Sequence, residues 1–402
     1  MTAPTVDTAR FLADLHELRQ IGRFKTGVHR PTYSPQDMES REWLMRKMAE
    51  IGLAPEMDGV GTVIGRGEGA GRRLLAGSHI ESQNEAGWLD GALGVVAALA
   101  LARSGLAVDP IAFADEEGHF DVGFLGSRSA IGDLTEAEID GSRNRTDGTP
   151  LRAALKAAGL EGRPRLTLDP ARYRGYLEMH IEQGTTLENA GERVGVVTGI
   201  VAIWQFRLIV EGAQDHAGGT TMAERRDAGL TAVRLLAAID AEFPRVCGER
   251  STWTTGRIAL DPGAPSIIPG TADVLFQFRD VEIAVLERME DCLRRLVQES
   301  NRRERCHTTI EVLSRAVPAV CDPGLMDALS AAAERLAPGA WRRMPSGAGH
   351  DAQNLARIMP AAMLFTPSIG GISHHWSEDT KEEDLALGVE VLFEAARSVL
   401  AG

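Results

Sequence analysis

The sequence lacks a cysteine framework. Its 402 residues include four cysteines, Cys247, Cys292, Cys306 and Cys321, and no two of them form a CxxC pair. That spacing argues against both a disulfide scaffold and a thiolate zinc site. Long apolar runs are missing as well. No stretch approaches the roughly 18–20 uninterrupted apolar residues a membrane helix needs, so no membrane partner is expected. Residues 1–12 lack an apolar core behind a basic start, so a secretory signal is not expected and the cytoplasm is the simplest location. There is no internal repeat and no low-complexity tract. Basic residues are outnumbered, 43 Lys and Arg against 57 Asp and Glu, for a formal net charge of -14. A field of that sign repels a polyanionic backbone, so nucleic acid is not an expected partner.

What is present is an ordinary globular composition, 44% hydrophobic and 25% charged, on a chain long enough to require two domains. Thr8 is placed to cap a helix carrying Phe11, Leu12, Leu15 and Leu18, and a second amphipathic helix is expected over residues 40–51, ended by Gly52. Residues 74–76 then read as a buried strand, 94–101 as a buried helix and 111–113 as the next strand. Alternation of that kind predicts an α/β fold, a mixed, mostly parallel sheet with helices on both faces. After about residue 203 the pattern changes. A strand over 206–210, a helix over 224–243, a strand over 272–278 and a long charged helix over 284–304 describe a smaller inserted α+β unit. From about residue 317 the alternation resumes, through 324–336 and 361–365. The expected organisation is a discontinuous domain of residues 1–203 and 319–402 enclosing a second domain of residues 204–318.

Four polar clusters stand at expected strand ends, where ligands of open α/β sheets bind. The first is Gly77-Ser78-His79-Ile80-Glu81 followed by Asp90-Gly91, and the second is Asp115-Glu116-Glu117-Gly118. The third is Glu178-Met179-His180-Ile181-Glu182-Gln183-Gly184, and the fourth Gly371-Ile372-Ser373-His374-His375. Adjacent acids on a turn point in different directions, so one can bind metal while its neighbour accepts a proton from water. Histidine and carboxylate ligands without cysteine suit two divalent ions drawn from Zn²⁺, Mn²⁺, Co²⁺ or Ni²⁺. Five ligands exceed what one catalytic zinc takes from protein, hence two ions bridged by a carboxylate. A lone histidine beside glycine is ordinarily a loop or capping residue, and paired acids are ordinarily a solvated turn. Four clusters in compatible order are harder to dismiss.

These segments resemble the M20 peptidase-like metallohydrolases, most of all the hydantoinase/carbamoylase branch with its N-carbamoyl-L-amino-acid and allantoate hydrolases. The likeness runs from about residue 34 to 380. It includes Phe124-Leu125-Gly126-Ser127-Arg128, Asp215-His216-Ala217-Gly218 and Gly347-Ala348-Gly349-His350-Asp351-Ala352 besides the clusters above. The resemblance implies His79, Asp90, Glu117, His180 and His374 as metal ligands, Asp90 bridging the ions, and Glu116 as general base. It implies that the inserted unit is a lid and dimerisation domain, whose His216 steadies the oxyanion in a partner's site, so a homodimer is expected. Gln183 and His350 would line the substrate pocket, with Arg279 gripping a substrate carboxylate through its planar guanidinium.

Four positions depart from the pattern. Glu81 stands where relatives usually carry Asp and is expected to orient His79. His119 lies in Gly118-His119-Phe120, where relatives have Ser-Arg-Phe. Ser266 stands in place of the Asn that helps hold the substrate carboxylate, and Trp376 in place of a Pro. His375 and His307 are set aside as a neighbour of the ligand and a surface residue. The metal set is intact and the changes fall on recognition positions. The expected activity is therefore hydrolysis of a C–N bond in an N-carbamoyl or other ureido acid, a small-molecule substrate. An N-acyl amino acid or related amide is the alternative. A catalytically silent binding protein is the third reading, and nothing in the chain favours it.

Overall fold

Parallel strands covered on both faces are buried along their whole length, and three segments meet that description. In the computed structural model, which describes residues 5–69 and 71–402, the strands Arg73–His79, Val108–Phe113 and Tyr173–Ile181 are almost entirely buried. Residues 1–4 of the segment read for a signal lie outside the described residues. Arg73–His79 pairs in parallel with both of the others, and Ala361–Thr366 adds a fourth parallel strand beside Tyr173–Ile181. Antiparallel strands Val63–Arg66 and Val194–Ile200 extend this core on its two sides. The fold is mixed α/β with a mostly parallel central sheet. Gly77 lets two strands close up, since a Cβ there would lie 1.8 Å from the Ile111 carbonyl oxygen.

Helices Ala92–Arg103 and Glu382–Ala401 pack on this sheet, and Thr8–Leu18 packs on both of them. The first helix starts where expected, but its cap is Asp7. The Asp7 carboxylate accepts from the Arg10 N–H at 2.9 Å, and Thr8 lies inside the first turn. The second helix runs over Pro35–Glu50, a full turn earlier than the expected start. Ser34 caps it, and Pro35 has no N–H to leave unpaired in the first turn.

The chain divides into two compact units, Met1–Gly199 with Val320–Gly402, and Ile200–Ala319. The second unit has a different logic. Its four strands, in the order Thr252–Asp261, Thr271–Asp280, Ala202–Glu211 and His307–Arg315, are all antiparallel. Along Thr271–Asp280 every second residue is buried, as expected of a sheet with one covered face. That face meets helices Ala228–Glu242 and Ile283–Arg303 around Phe206, Phe243, Phe276 and Phe278. The Phe206 and Phe278 rings stack at 5.2 Å, and Phe243 meets Phe278 edge-on at 5.7 Å. Among the described residues all four cysteines are free, and no helix is long and apolar enough to cross a membrane.

Candidate active site

The parallel strands end side by side, so the residues that leave them converge. His79 closes its strand opposite Phe113, which leads into Asp115-Glu116-Glu117, and His180 lies opposite Phe365 at the end of the next pair. Asp90 sits on the turn that opens helix Ala92–Arg103. Gly91 has φ +65°, and a Cβ on it would stand 2.4 Å from the His79 ring, so only glycine allows the turn to come so near. Glu378 holds the same turn. Its carboxylate accepts from the N–H groups of Leu89 at 3.2 Å and Asp90 at 3.1 Å, and from the Ser373 hydroxyl at 2.9 Å.

Asp90 is the centre of the cluster, and its two oxygens face different partners. Oδ1 lies 3.1 Å from His180 Nε2 and 3.7 Å from His79 Nε2, while Oδ2 lies 3.2 Å from His374 Nε2. Glu117 Oε2 is 3.3 Å from the same His374 nitrogen. Two ligand groups therefore share Asp90, namely His79, Asp90, His180 and Asp90, Glu117, His374, with the atoms of each within 4.8 Å of one another. Glu116 Oε2 lies 3.7 Å from His79 Nε2.

The imidazoles are presented in the form a cation needs. His79 Nδ1 faces the Glu81 carbonyl at 3.2 Å, and His180 Nδ1 faces the Ile181 carbonyl at 2.9 Å. A carbonyl only accepts, so the proton of each neutral ring sits on Nδ1 and the Nε2 lone pair turns toward Asp90. The Gly91 N–H, donating to His180 Nε2 at 3.2 Å, agrees with that tautomer. Nitrogen and oxygen donors without sulfur, arranged around one shared carboxylate, fit two divalent cations.

The charges point the same way. Burial pushes Glu116 well above the usual carboxylate range, and Asp351 and Glu117 add to this against the pull of His79. Glu117 is raised by burial and by Asp90, against His374. Asp90 moves the other way. Burial opposes its charge, but His180, His374 and His79 hold it well below the ordinary value. The histidines answer in kind. Burial disfavours charge on His79 and His180, yet Glu116 and Asp90 raise the first, and Asp90 the second. With protons as the only counter-charge, the site stores them on histidines and acids, and divalent cations would take their place.

Several residues around the cluster carry strain or buried polarity. His374 and Gln183 adopt φ of +56° and +58°, a left-handed conformation that costs a non-glycine residue about 1–3 kcal/mol and collects at functional sites. The Gln183 side-chain amide donates to Asp90 Oδ2 and Ser373 Oγ, each at 3.1 Å. His350 is buried, with Nε2 at 2.8 Å from Ser346 Oγ and its ring 4.6 Å from that of His180. Burial and His180 hold its pKa well below the ordinary imidazole value. Glu178, His180 and His350 form a further group of possible donors. Glu178 accepts from Ser78 Oγ, Tyr176 OH and the Ala352 N–H at 2.7, 3.1 and 3.0 Å. An acid between the apolar residues Leu177 and Met179 of a buried strand was the signal for it.

The inserted unit carries the remaining candidates. His216 and Ser266 are neighbours there, since residues 215–216 pair with 267–268 and the Ala217 N–H donates to the Ser266 carbonyl at 2.9 Å. His216 is exposed, and its Nδ1 accepts from the N–H groups of Gly218 at 3.1 Å and Gly219 at 2.9 Å. That leaves Nε2–H as a donor. Arg279 lies on the sheet opposite Thr252 and Ile203, where burial lowers its guanidinium pKa.

Of the four departures, Glu81 differs most from expectation. The acceptor for His79 is the Glu81 backbone carbonyl, and the carboxylate stands off at 3.8 Å. His119 is buried, with Nδ1 at 3.1 Å from Thr32 Oγ1 and 3.5 Å from Asp115 Oδ1. Trp376 lies under the Lys25 ammonium at 4.3 Å, and its carbonyl accepts from Thr26 Oγ1. His375 is exposed and bonded to Ser377 Oγ, and His307 is exposed at the start of its strand.

Comparison with known proteins gives consistent matches. The profile of Peptidase family M20/M25/M40 matches residues 78–398. An N-carbamoyl-L-amino acid amidohydrolase of Geobacillus stearothermophilus is 31% identical over 404 residues, covering 96% of this chain and 97% of the relative. An allantoate amidohydrolase of Escherichia coli (strain K12) is 33% identical, covering 91% of each chain. The solved structure of an amidase of the hydantoinase/carbamoylase family from Burkholderia phymatum is 44% identical, with a TM-score of 0.89 and all of both chains covered.

Proposed function

The chain belongs to peptidase family M20/M25/M40, in its hydantoinase/carbamoylase branch, and from that premise we propose that it hydrolyses the C–N bond of an N-carbamoyl or other ureido acid. The enzyme class is amidohydrolase. The observation that carries the reading is the sharing of Asp90 by two ligand groups beside the raised carboxylate of Glu116. In this reading His79, Asp90 and His180 hold one divalent cation, and Asp90, Glu117 and His374 hold the second. When bound, the two ions supply Lewis-acid polarisation of the scissile carbonyl and ease deprotonation of water.

The protein's own groups do the rest. Glu116 accepts a proton from the attacking water and returns it to the departing nitrogen. A carboxyl raised above its ordinary range by burial suits both steps. The His216 Nε2–H, fixed by the two glycine amides on Nδ1, donates to the developing oxyanion within a homodimer. Removing one such donor typically costs about 2.7–4 kcal/mol of barrier. Arg279 binds the substrate carboxylate, and Gln183, His350 and Ser266 are further residues assigned to substrate binding. Hydrolysis of the ureido group then yields ammonia, carbon dioxide and the amino compound.

The test loads the protein with Mn²⁺, Co²⁺ or Zn²⁺ and follows products by mass spectrometry over N-carbamoyl, ureido and N-acyl amino acids. Ammonia from a ureido acid, reduced about 10²–10⁴-fold in Glu116→Gln with metal uptake retained, is the expected result. Release of an amine from N-acyl substrates alone would assign the same site to amide hydrolysis. No turnover on any ureido acid sinks the reading.

A further inference from the structure

Behind the cluster lies a buried ionic chain for which the mechanism above has no use. Arg41, on helix Pro35–Glu50, is wholly buried. Its Nη2 donates to Glu81 Oε2 at 2.7 Å, its Nη1 to the Gly61 carbonyl at 2.8 Å and the Phe113 carbonyl at 3.4 Å, and its Nε pairs with Asp37 at 2.9 Å. The other Glu81 oxygen accepts from the Glu116 backbone N–H at 2.7 Å. We propose that Arg41 and Glu81 are positioning residues that hold the Glu116 turn from behind, and that Glu81 serves Glu116 rather than His79. The proposal rests on the reading of Glu116 as the base.

Three observations support it. His79 has its acceptor already, in the Glu81 carbonyl, so the carboxylate is released for another task. The turn needs fixing, because Asp115, directly before Glu116, has φ +52°. Such a residue persists only where its surroundings over-determine it. The Asp115 carboxylate is held by Thr32 Oγ1 at 2.7 Å and by the N–H groups of His119 at 2.8 Å and Phe120 at 3.1 Å, which secures that side of the turn. The Glu81 bond secures the other. Lastly, a buried ion pair is weak evidence for stability, since apolar replacements of similar volume are often neutral or stabilising. A positional duty accounts for a fully buried Arg–Glu pair better than stability does. The length of glutamate matters here. Aspartate would withdraw the carboxylate by about 1.5 Å, out of reach of one of its two partners.

The experiment compares Glu81→Asp and Glu81→Gln with the wild type in kcat, KM and metal affinity, on the substrate the wild type hydrolyses. Positioning of Glu116 predicts a kcat about 10–100-fold lower in Glu81→Asp, with KM and the affinity for both metals within about twofold of wild type. If the carboxylate instead serves His79, Glu81→Asp keeps its kcat and Glu81→Gln binds metal about 10–100-fold more weakly, and the proposal is overturned. Amide hydrogen exchange at Glu116 gives a readout independent of turnover. Faster exchange in Glu81→Asp supports the proposal and unchanged exchange refutes it, even if wild-type turnover or the Glu116→Gln control rules out the base assignment.

Discussion

The two units of the chain differ in what they bury besides apolar side chains. Unit Ile200–Ala319 closes over an apolar cluster led by four phenylalanines, and the pair of Arg207 with Asp273 at 2.7 Å lies on the open face of its sheet. The larger unit sinks Asp90, Glu178, His79, His180, His350 and Asp351 below its surface, each no more than 3% exposed. Burying apolar area is favourable by itself, whereas burying charge is costly unless the charges are paired or bind metal. The first arrangement explains itself as folding. The second calls for a counter-charge, which the proposed metal ions would supply.

That contrast can be tested in order of expected effect. Phe278→Ala should destabilise the inserted unit by about 3–5 kcal/mol, because it opens a cavity beside four other aromatic rings. Denaturation followed by intrinsic fluorescence measures it. Metal uptake by the larger unit should be unchanged, and a parallel loss of uptake would mean the units do not bury their cores independently.

Adding divalent metal to chelator-treated protein should act on the other unit. At a free concentration of about 100 times Kd it stabilises the native state by about 2.7 kcal/mol. Amide exchange should slow along 73–79 and 173–181 and stay unaltered along 202–211 and 271–280. Uniform slowing over both sets would break the distinction.

A third test concerns pH. The Asp90 carboxylate beside His374 raises that imidazole to about 9, with burial opposing and Glu117 assisting. Metal binding requires the neutral ring, so below about pH 9 a proton must leave as the cation enters. Apparent affinity should therefore climb by up to about tenfold per pH unit toward that value and level off above it. Calorimetric titration in two buffers of different ionisation enthalpy counts the released proton. His374→Asn should remove the dependence due to this group.

The smallest effect lies at the start of the first helix. Asp7→Ala should cost about 1 kcal/mol through loss of the helix cap, measured by thermal melting, with Thr8→Ala changing stability less. The reverse order would return the cap to Thr8.

Much of the fold was legible because periodicity is local. The all-apolar strands near 74–76, 111–113 and 361–365 announce a parallel sheet, and the alternation from 206 to 210 announces a sheet with one open face. Helix boundaries were read less well. Asp7 and Thr8 are both good caps, as are Ser34 and Ser40, and only backbone angles choose between them. The candidate ligands were legible because histidines and acids stood beside glycines at strand ends. Glu178 and Glu378 were not, since their meaning lies in the backbone amides they accept from.

The sequence by itself determined the fold class, the family and the set of donors around Asp90, because each is written in residue type and spacing. Tertiary structure alone decided which atom of each residue does the work. It turned the Nε2 lone pairs of His79 and His180 toward Asp90 by tying Nδ1 to backbone carbonyls. It also drew the Glu81 carboxylate away from His79 to Arg41 and the Glu116 amide. Residue spacing records what a side chain can do. The hydrogen bonds of a buried site, where every polar group must find a partner, select which of those things it does.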